Sequence, residues 1–343
     1  MTQHAVNNHI QEPLQLLRQK QSGFLITQAI YVAAKLGIAD LLKDGPLSCD
    51  ELARLSKTNS NALYRVLRTL ASEGIFAELQ DKHFELTPPA VYLQSGVPDS
   101  RRDVAIMFGE PWFWAACGDM LYNVETGMSA FRHIHGMSSF EYSANNVEAA
   151  RIFNNAMVQR SRSNITEILA TYDFSGINKI VDIGGGHGIL IAAILKAYPH
   201  LQGILFEQSA VLEGAKNLLN EEGVTARCEL VSGNFFESVP VVGDAYILKN
   251  VIHDWDNDHA LNILKNVRHY MPQHGKLLLV EYIIHSDNGP SYSHVSDLIM
   301  MVVAEGFERT ESQFRILLDQ AGFKLTNIIS TDSSNNLIEA VLV

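Results

Sequence analysis

Between Leu14 and Leu42, apolar residues recur at three- and four-residue intervals (Leu17, Phe24, Ile30, Leu36, Ile38, Leu41 and Leu42), the period of a helix with one apolar face. Asp44-Gly45-Pro46 ends that pattern. Ser48 then has the chemistry of a helix N-cap, with Glu51 three residues on to complete a capping box. Asn59 or Ser60 can cap a second helix, which Gly74 terminates. IFAEL and HFELT read as short strands around Gln80-Asp81-Lys82, so the segment predicts a winged helix. Residues 98–170 look helical and carry an aromatic cluster at Phe108, Trp112, Phe113, Trp114 and Phe131, before a break at Tyr172-Asp173-Phe174-Ser175-Gly176.

Beyond the break, short apolar strands alternate with amphipathic helices. The order is KIVDIG, a helix from Gly188 to Tyr198, GILFE, a helix from about Val211 to Glu222, CELVSG, DAYILKNV, a helix from about Asp258 to Met271, and KLLLVEYII. Strand–helix alternation at this spacing predicts an α/β fold with a parallel sheet covered on both faces. Only Asp332-Ser333-Ser334-Asn335-Asn336 separates KLTNIIST from NLIEAVLV, so the last two strands should form an antiparallel hairpin. The expected division is a helical, winged-helix domain over 1–100, followed by linker helices and the α/β domain over 101–343.

Composition narrows the function. The chain has 343 residues, 47% of them apolar and 19% charged, and a formal charge of -12, which disfavours a phosphate-binding face. Arg65 and Arg68 on the second wing helix are surrounded by Asp50, Glu51, Glu73, Glu78 and Asp81, so the wing is a poor DNA reader; a DNA-binding regulator stays open as an alternative. Cys49, Cys117 and Cys228 have neither metal-ligand spacing nor a disulfide framework, which fits a reducing cytoplasm. The polar start MTQHAVNNHIQEP lacks a signal pattern, and no apolar run is long enough for a membrane span.

The sharpest motif is Val181-Asp182-Ile183-Gly184-Gly185-Gly186-His187-Gly188, between a strand and a helix. A dinucleotide loop needs G-x-G-x-x-G, but the third position falls on Ile189 or Ile191; the Gly-Lys-Ser/Thr of a P-loop is also missing. The pattern present is D-x-G-x-G-x-G. An acid beside such a loop suits a cationic ammonium or sulfonium ligand without phosphate. Glu207, at the end of the next strand, can accept both hydroxyls of a ribose.

These features, together with F-N-N-A-M at Phe153–Met157, V-D-I-G-G-G at Val181–Gly186, L-K-N-V-I-H-D-W at Leu248–Trp255 and E-R-T at Glu308–Thr310, resemble the plant-and-bacterial family of small-molecule O-methyltransferases. The resemblance runs from about Leu14 to the C-terminus. It implies a Rossmann-like methyltransferase sheet, S-adenosyl-L-methionine as cofactor, and a winged helix that pairs subunits instead of binding DNA. The cofactor contacts it implies are Ser161, Asp182, Gly184, Gly186, Glu207, Asn234, Phe235 and Lys249. Glu207 and Asn234 depart from the commoner aspartates, the first keeping the carboxylate and the second keeping an acceptor oxygen.

Methyl transfer from a sulfonium is an in-line displacement whose donor is already activated, so the protein must supply alignment and a deprotonated nucleophile. His253 stands at the carboxyl end of a strand, where open α/β sheets bind ligands. The resemblance makes it the general base, with Glu281 and Glu308 holding its imidazole. Phe153, Met157 and Met301 carry family support as acceptor-lining residues. Trp112 and Phe113, with Phe108 and Met300, are further candidates that can equally be core.

No metal is expected. Asp254-x-Asp256-x-Asp258 has His259 and Lys265 where a calcium loop needs Gly and Glu, and the acids are better placed to cap a helix. His133-Ile134-His135 has no third ligand near it in sequence. The reading is a homodimeric O-methyltransferase of secondary metabolism acting on a hydroxyl, phenolic in type, of a small molecule. The main alternative is a relative that binds the same cofactor for hydroxylation, decarboxylation or a pericyclic reaction; methylation at nitrogen or carbon is a lesser one.

Overall fold

The computed structural model describes residues 3–286, 289–331 and 335–343. The chain divides into two compact units, one through Trp114 and one from Ala115 onward. In the first, α1 (Gln3–Lys35) runs to Gly37, whose left-handed backbone breaks the helix before α2 (Ile38–Leu41). The wing follows as β1 (Leu47–Ser48), α3 (Cys49–Ser56), α4 (Ser60–Ser72), β2 (Phe76–Glu78) and β3 (His83–Leu86), with the strands in the antiparallel order β1-β3-β2. Leu63, Leu67 and Leu70 on α4 recur at helical spacing and pack with Leu52, Phe76 and Phe84 into one core.

Asn59, not Ser60, caps α4, accepting from Ala62 N at 3.0 Å. At α3 only half of the expected capping box forms. Ser48 accepts from Glu51 N at 3.2 Å, but the Glu51 carboxylate turns to the Arg54 guanidinium at 2.6 and 3.0 Å. A charge-assisted bidentate pair one turn away outcompetes a neutral backbone N–H.

Helices α5 (Pro88–Val91), α6 (Arg102–Gly109), α7 (Pro111–Gly118), α8 (Met120–Thr126), α9 (Ala130–His135), α10 (Ser139–Asn145) and the long α11 (Val147–Thr171) lead into the α/β region. There β4 (Lys179–Ile183), α12 (Ile189–Ala197), β5 (Gln202–Glu207), α13 (Ser209–Glu221), β6 (Cys228–Ser232), β7 (Ala245–Lys249), α14 (Asn257–Tyr270) and β8 (Lys276–Tyr282) alternate as the sequence pattern predicts. Tyr246 and Leu248 pack into one core on one face of β7, while Ala245 and Ile247 join another core on the opposite face.

After α15 (Tyr292–Ile299) and α16 (Glu311–Gln320), β9 (Phe323–Ser330) and β10 (Asn335–Leu342) form the expected antiparallel pair. Asp332, Ser333 and Ser334 of its turn lie outside the described residues, as do Met1 and Thr2 of the polar start. The seven strands lie in the order β6-β5-β4-β7-β8-β10-β9, so the last strand of the chain inserts beside β8. Strand order reverses between β4 and β7, and the carboxyl ends of those two strands flank the crevice where open α/β sheets take ligands. Among the described residues, no helix is long and apolar enough to cross a membrane.

One carboxyl sits inside this sheet. Asp182 on β4 is fully buried beneath the glycine loop, and a Cβ at Gly185 would overlap its carboxylate. Burial, and then the negative charge of Glu207, push its pKa up to about 7. A folded-state pKa above the unfolded one means the folded chain holds an extra proton between pH ~4 and 7, so this group's contribution to stability falls as pH rises through that window. Asp182→Asn removes the titration. In cofactor-free protein it should flatten the decline of the melting temperature between pH 4 and 7, as followed by calorimetric melts across pH; an unchanged slope would show that Asp182 is not the group responsible.

Candidate active site

The loop after β4 turns with Gly184, Gly186 and Gly188 all at positive φ, which glycine adopts without strain. At Gly186 a Cβ would meet nothing within 4 Å, so this backbone faces open space. Its N–H donates to Glu207 Oε2 at 3.0 Å, and Gln208 N donates to Oε1 at 2.7 Å. Burial raises the Glu207 pKa, while these two bonds pull the other way. Phe235 lies over Gly184, 3.5 Å from where its Cβ would be. Asn234 Oδ1 already accepts from Phe236 N at 3.0 Å, so one lone pair of that oxygen is committed to its own turn. The open cradle at Gly186 and the strand-end carboxylate beside it fit a nucleoside-bearing sulfonium without phosphates.

From β7, Lys249 reaches across to α11, its Nζ 3.1 Å from Ser161 Oγ. Burial lowers the Lys249 pKa to about 8. Phe153, Met157 and Ser161 are spaced four residues apart and share one face of α11, so Ser161 brings that face to the end of β7. Met301 comes from a π turn, Met300–Ala304, whose widened ladder frees main-chain carbonyls. Asn123 Nδ2 donates to Met301 O at 2.9 Å and Ser129 Oγ to Val302 O at 3.3 Å, which fastens the turn. Trp112 and Phe113 belong to the first unit, where Phe113 is buried between Phe108 and Trp112 at centroid distances of 5.2 and 5.9 Å.

His253 sits in a single 3₁₀ turn, Ile252–Asp254, just beyond β7, and is 4% exposed. Its Nδ1 lies 2.8 Å from Glu308 Oε1 and 3.6 Å from Glu281 Oε2, and its Nε2 lies 3.6 Å from Asp254 Oδ1. Glu281, at the end of β8, also accepts from Val251 N at 3.1 Å and Ile252 N at 2.8 Å. Ser296 Oγ donates to Glu308 Oε1 at 2.7 Å. The geometry requires a proton on Nδ1, shared with Glu308, and leaves Nε2 as the nitrogen that can exchange a proton.

Burial pulls the imidazole pKa down, but the charges of Glu281, Glu308 and Asp254 overcome it and push it up to about 9. Glu281 gives the largest of these upward pulls, followed by Glu308 and then Asp254. Burial likewise raises Glu281 to about 7 and Asp254 to about 6. His253, Glu281 and Glu308 also bring their ligating atoms within 4.8 Å of one another, a spacing that can hold a metal ion. The short Nδ1–Glu308 bond already commits that nitrogen to a proton, so the hydrogen-bonded reading is the better fit. Asp256 caps α14, accepting from His259 N at 2.9 Å, and His133 pairs with Asp119 at 2.7 Å.

Sequence reasoning passed over several residues that build this site. Ser296 and Asn123 look like ordinary helix polars. Asn262 and Asn266 on α14 each donate at 2.9 Å to the carbonyls of Phe236 and Phe235, holding that loop. Gly306 admits the main chain of His253–Trp255, which a Cβ there would overlap. Arg309 is fully buried, a rare state for arginine, but its neighbours become visible only in three dimensions.

Residues 114–324 match the O-methyltransferase domain family and residues 19–95 match the O-methyltransferase dimerisation domain family. The chain is 43% identical over 325 residues to a phenazine O-methyltransferase of Lysobacter antibioticus, covering 95% of each chain. It is 34% identical to the 8-amino-8-demethylriboflavin N,N-dimethyltransferase of Streptomyces davaonensis, covering 92% of this chain and 91% of that one. Among solved structures, that of LaPhzM superposes with a TM-score of 0.92 at 42% identity, covering 96% of this chain and 99% of that one. The chain belongs to the S-adenosylmethionine-dependent O-methyltransferases that carry an N-terminal dimerisation domain.

Proposed function

We propose that this enzyme methylates a hydroxyl, phenolic in type, of a small aromatic metabolite, with His253 as general base. The observation that carries this reading is the buried His253 with Glu308 at 2.8 Å and Glu281 at 3.6 Å. A phenol of pKa ~10 is mostly protonated at neutral pH and gains from a base, whereas an amine nitrogen already has its lone pair. The machinery therefore favours oxygen over the nitrogen named for the N,N-dimethyltransferase relative. The phenazine relative, named an O-methyltransferase, is consistent with a flat aromatic acceptor.

Gly184, Gly186, Glu207, Asn234, Phe235, Lys249 and Ser161 would hold S-adenosylmethionine, with Asp182 supporting the loop from below. When bound, the cofactor supplies an electrophilic methyl on a sulfonium. Phe153, Met157 and Met301 would line the acceptor side. Glu308 fixes the tautomer of His253 and stabilises the imidazolium that forms when Nε2 takes the hydroxyl proton. Burial opposes the imidazolium while the surrounding carboxylates favour it, and the carboxylates win in the isolated chain. The first unit would pair two subunits, since Leu14, Leu17, Phe24 and Leu25 on α1 are about half exposed.

Three measurements test this reading. Gly186→Val, which forces a β-branched residue into φ +59° and fills the open cradle, should abolish S-adenosylmethionine binding in calorimetry; unchanged affinity removes the cofactor assignment. Light scattering of the full chain should give a dimer mass, and a concentration-independent monomer mass would contradict pairing. His253→Ala should keep cofactor affinity while the methylation rate falls about 10²–10⁴-fold at neutral pH, with Glu308→Gln losing less. That deficit should shrink as pH rises toward the acceptor's own pKa, because solvent then supplies the phenolate. Full activity of His253→Ala on a hydroxyl acceptor at neutral pH would rule out the base.

A further inference from the structure

We propose that Arg309 is the positioning residue for His253: its guanidinium bridges carbonyls on either side of the imidazole-bearing residue and so sets where that ring meets the acceptor. This rests on His253 being the base. The turn holds itself weakly, since its own bonds, Asp254 N to Val251 O and Trp255 N to Ile252 O, are long at 3.3 and 3.4 Å. It is therefore held from outside, at both ends. Glu281 takes the entry amides of Val251 and Ile252. Arg309 spans the turn from its first residue to the residue after it: Nη1 donates to Ile252 O and Nη2 to Trp255 O, each at 2.9 Å. Asn257 Oδ1 accepts from Nη2 at 3.1 Å and from Nε at 3.2 Å, which keeps the fork from rotating. The Phe307 ring covers one guanidinium face, with Cζ 4.2 Å from its centroid.

Arg309 is also tied to the rest of the catalytic group. It follows Glu308, the partner of His253 Nδ1, and its own carbonyl accepts from Ile284 N at 3.0 Å, just past the strand that carries Glu281. Gly306 closes the frame by letting the chain pass against the His253–Trp255 backbone. The ring, its two carboxylates and the clamp thus come from three chain segments tied together by hydrogen bonds. A lysine ammonium is a point charge on a flexible stem and does not reproduce a planar fork across two carbonyls. Losing the fork takes this donor from Trp255 O and leaves Ile252 O with only the long bond from Trp255 N, which lets the turn drift, and a 1 Å misplacement of a catalytic group costs about 10²-fold in rate.

The test compares Arg309→Lys with Asn257→Ala, the latter on an exposed residue whose loss only loosens the fork and spares the fold. Each is measured beside wild type and His253→Ala on a hydroxyl acceptor. Cofactor affinity should stay near wild type in calorimetry, and the acceptor KM should change little. The kcat at neutral pH should fall about 10²-fold in Arg309→Lys, and several-fold in Asn257→Ala. Both deficits should close as pH approaches the acceptor's pKa, and the His253 Nδ1–H resonance should shift in both variants at fixed pH. A clamp that is merely structural would instead give a pH-independent loss with weakened cofactor binding, and that result overturns the proposal. So does wild-type kcat in both variants with an unmoved resonance. If both variants run at the wild-type rate while His253→Ala is crippled, the clamp alone is wrong; if His253→Ala is fully active, the base reading fails and the clamp's catalytic role goes with it.

Discussion

Glu281 makes two interactions on which the rest of the site depends. One oxygen receives the amides of Val251 and Ile252, and the other faces the His253 ring at 3.6 Å. A wholly buried carboxylate is expensive unless it is hydrogen-bonded and paired, and here the same group both shapes the turn and places charge beside the His253 imidazole. It can do so because β8 lies beside β7 in parallel register, Lys249 opposite Val280, so the end of one strand meets the turn leaving the other. The insertion of β10 against β8 buries this edge and lines up Asn336 with Glu281. The sheet order is therefore part of the chemistry.

Much of the α/β region was legible in the sequence because its strands are buried on both faces and read as apolar runs between helical periods. The glycine loop was legible for a different reason: a turn at positive φ admits few residue types without strain. The capping box at Ser48 failed because sequence spacing does not show that Arg54 competes for Glu51. Arg309 stayed hidden because one arginine in a loop looks the same whether it is solvated or clamps two carbonyls. The charge state of His253 was also out of reach, since it depends on three carboxylates that converge from Asp254, β8 and the loop after the π turn.

The charge balance at this site links stability to function. Asp182, Glu281 and Asp254 all sit above the ordinary carboxylate range because burial penalises their charge. The buried cations Lys249, Arg160 and Arg309 lie among these acids and offset part of that cost. Electrostatic preorganisation of this kind costs stability in the isolated chain and is recovered on ligand binding.

The central claim is that this arrangement delivers a methyl group to oxygen. The direct measurement incubates the full-length protein with methyl-¹³C S-adenosylmethionine and paired aromatic acceptors bearing either a hydroxyl or an amine, then locates the label in the products by NMR. Label should appear on oxygen, with the hydroxyl acceptor consumed first. Label confined to nitrogen or carbon, or cofactor binding without transfer to any hydroxyl acceptor, would contradict it.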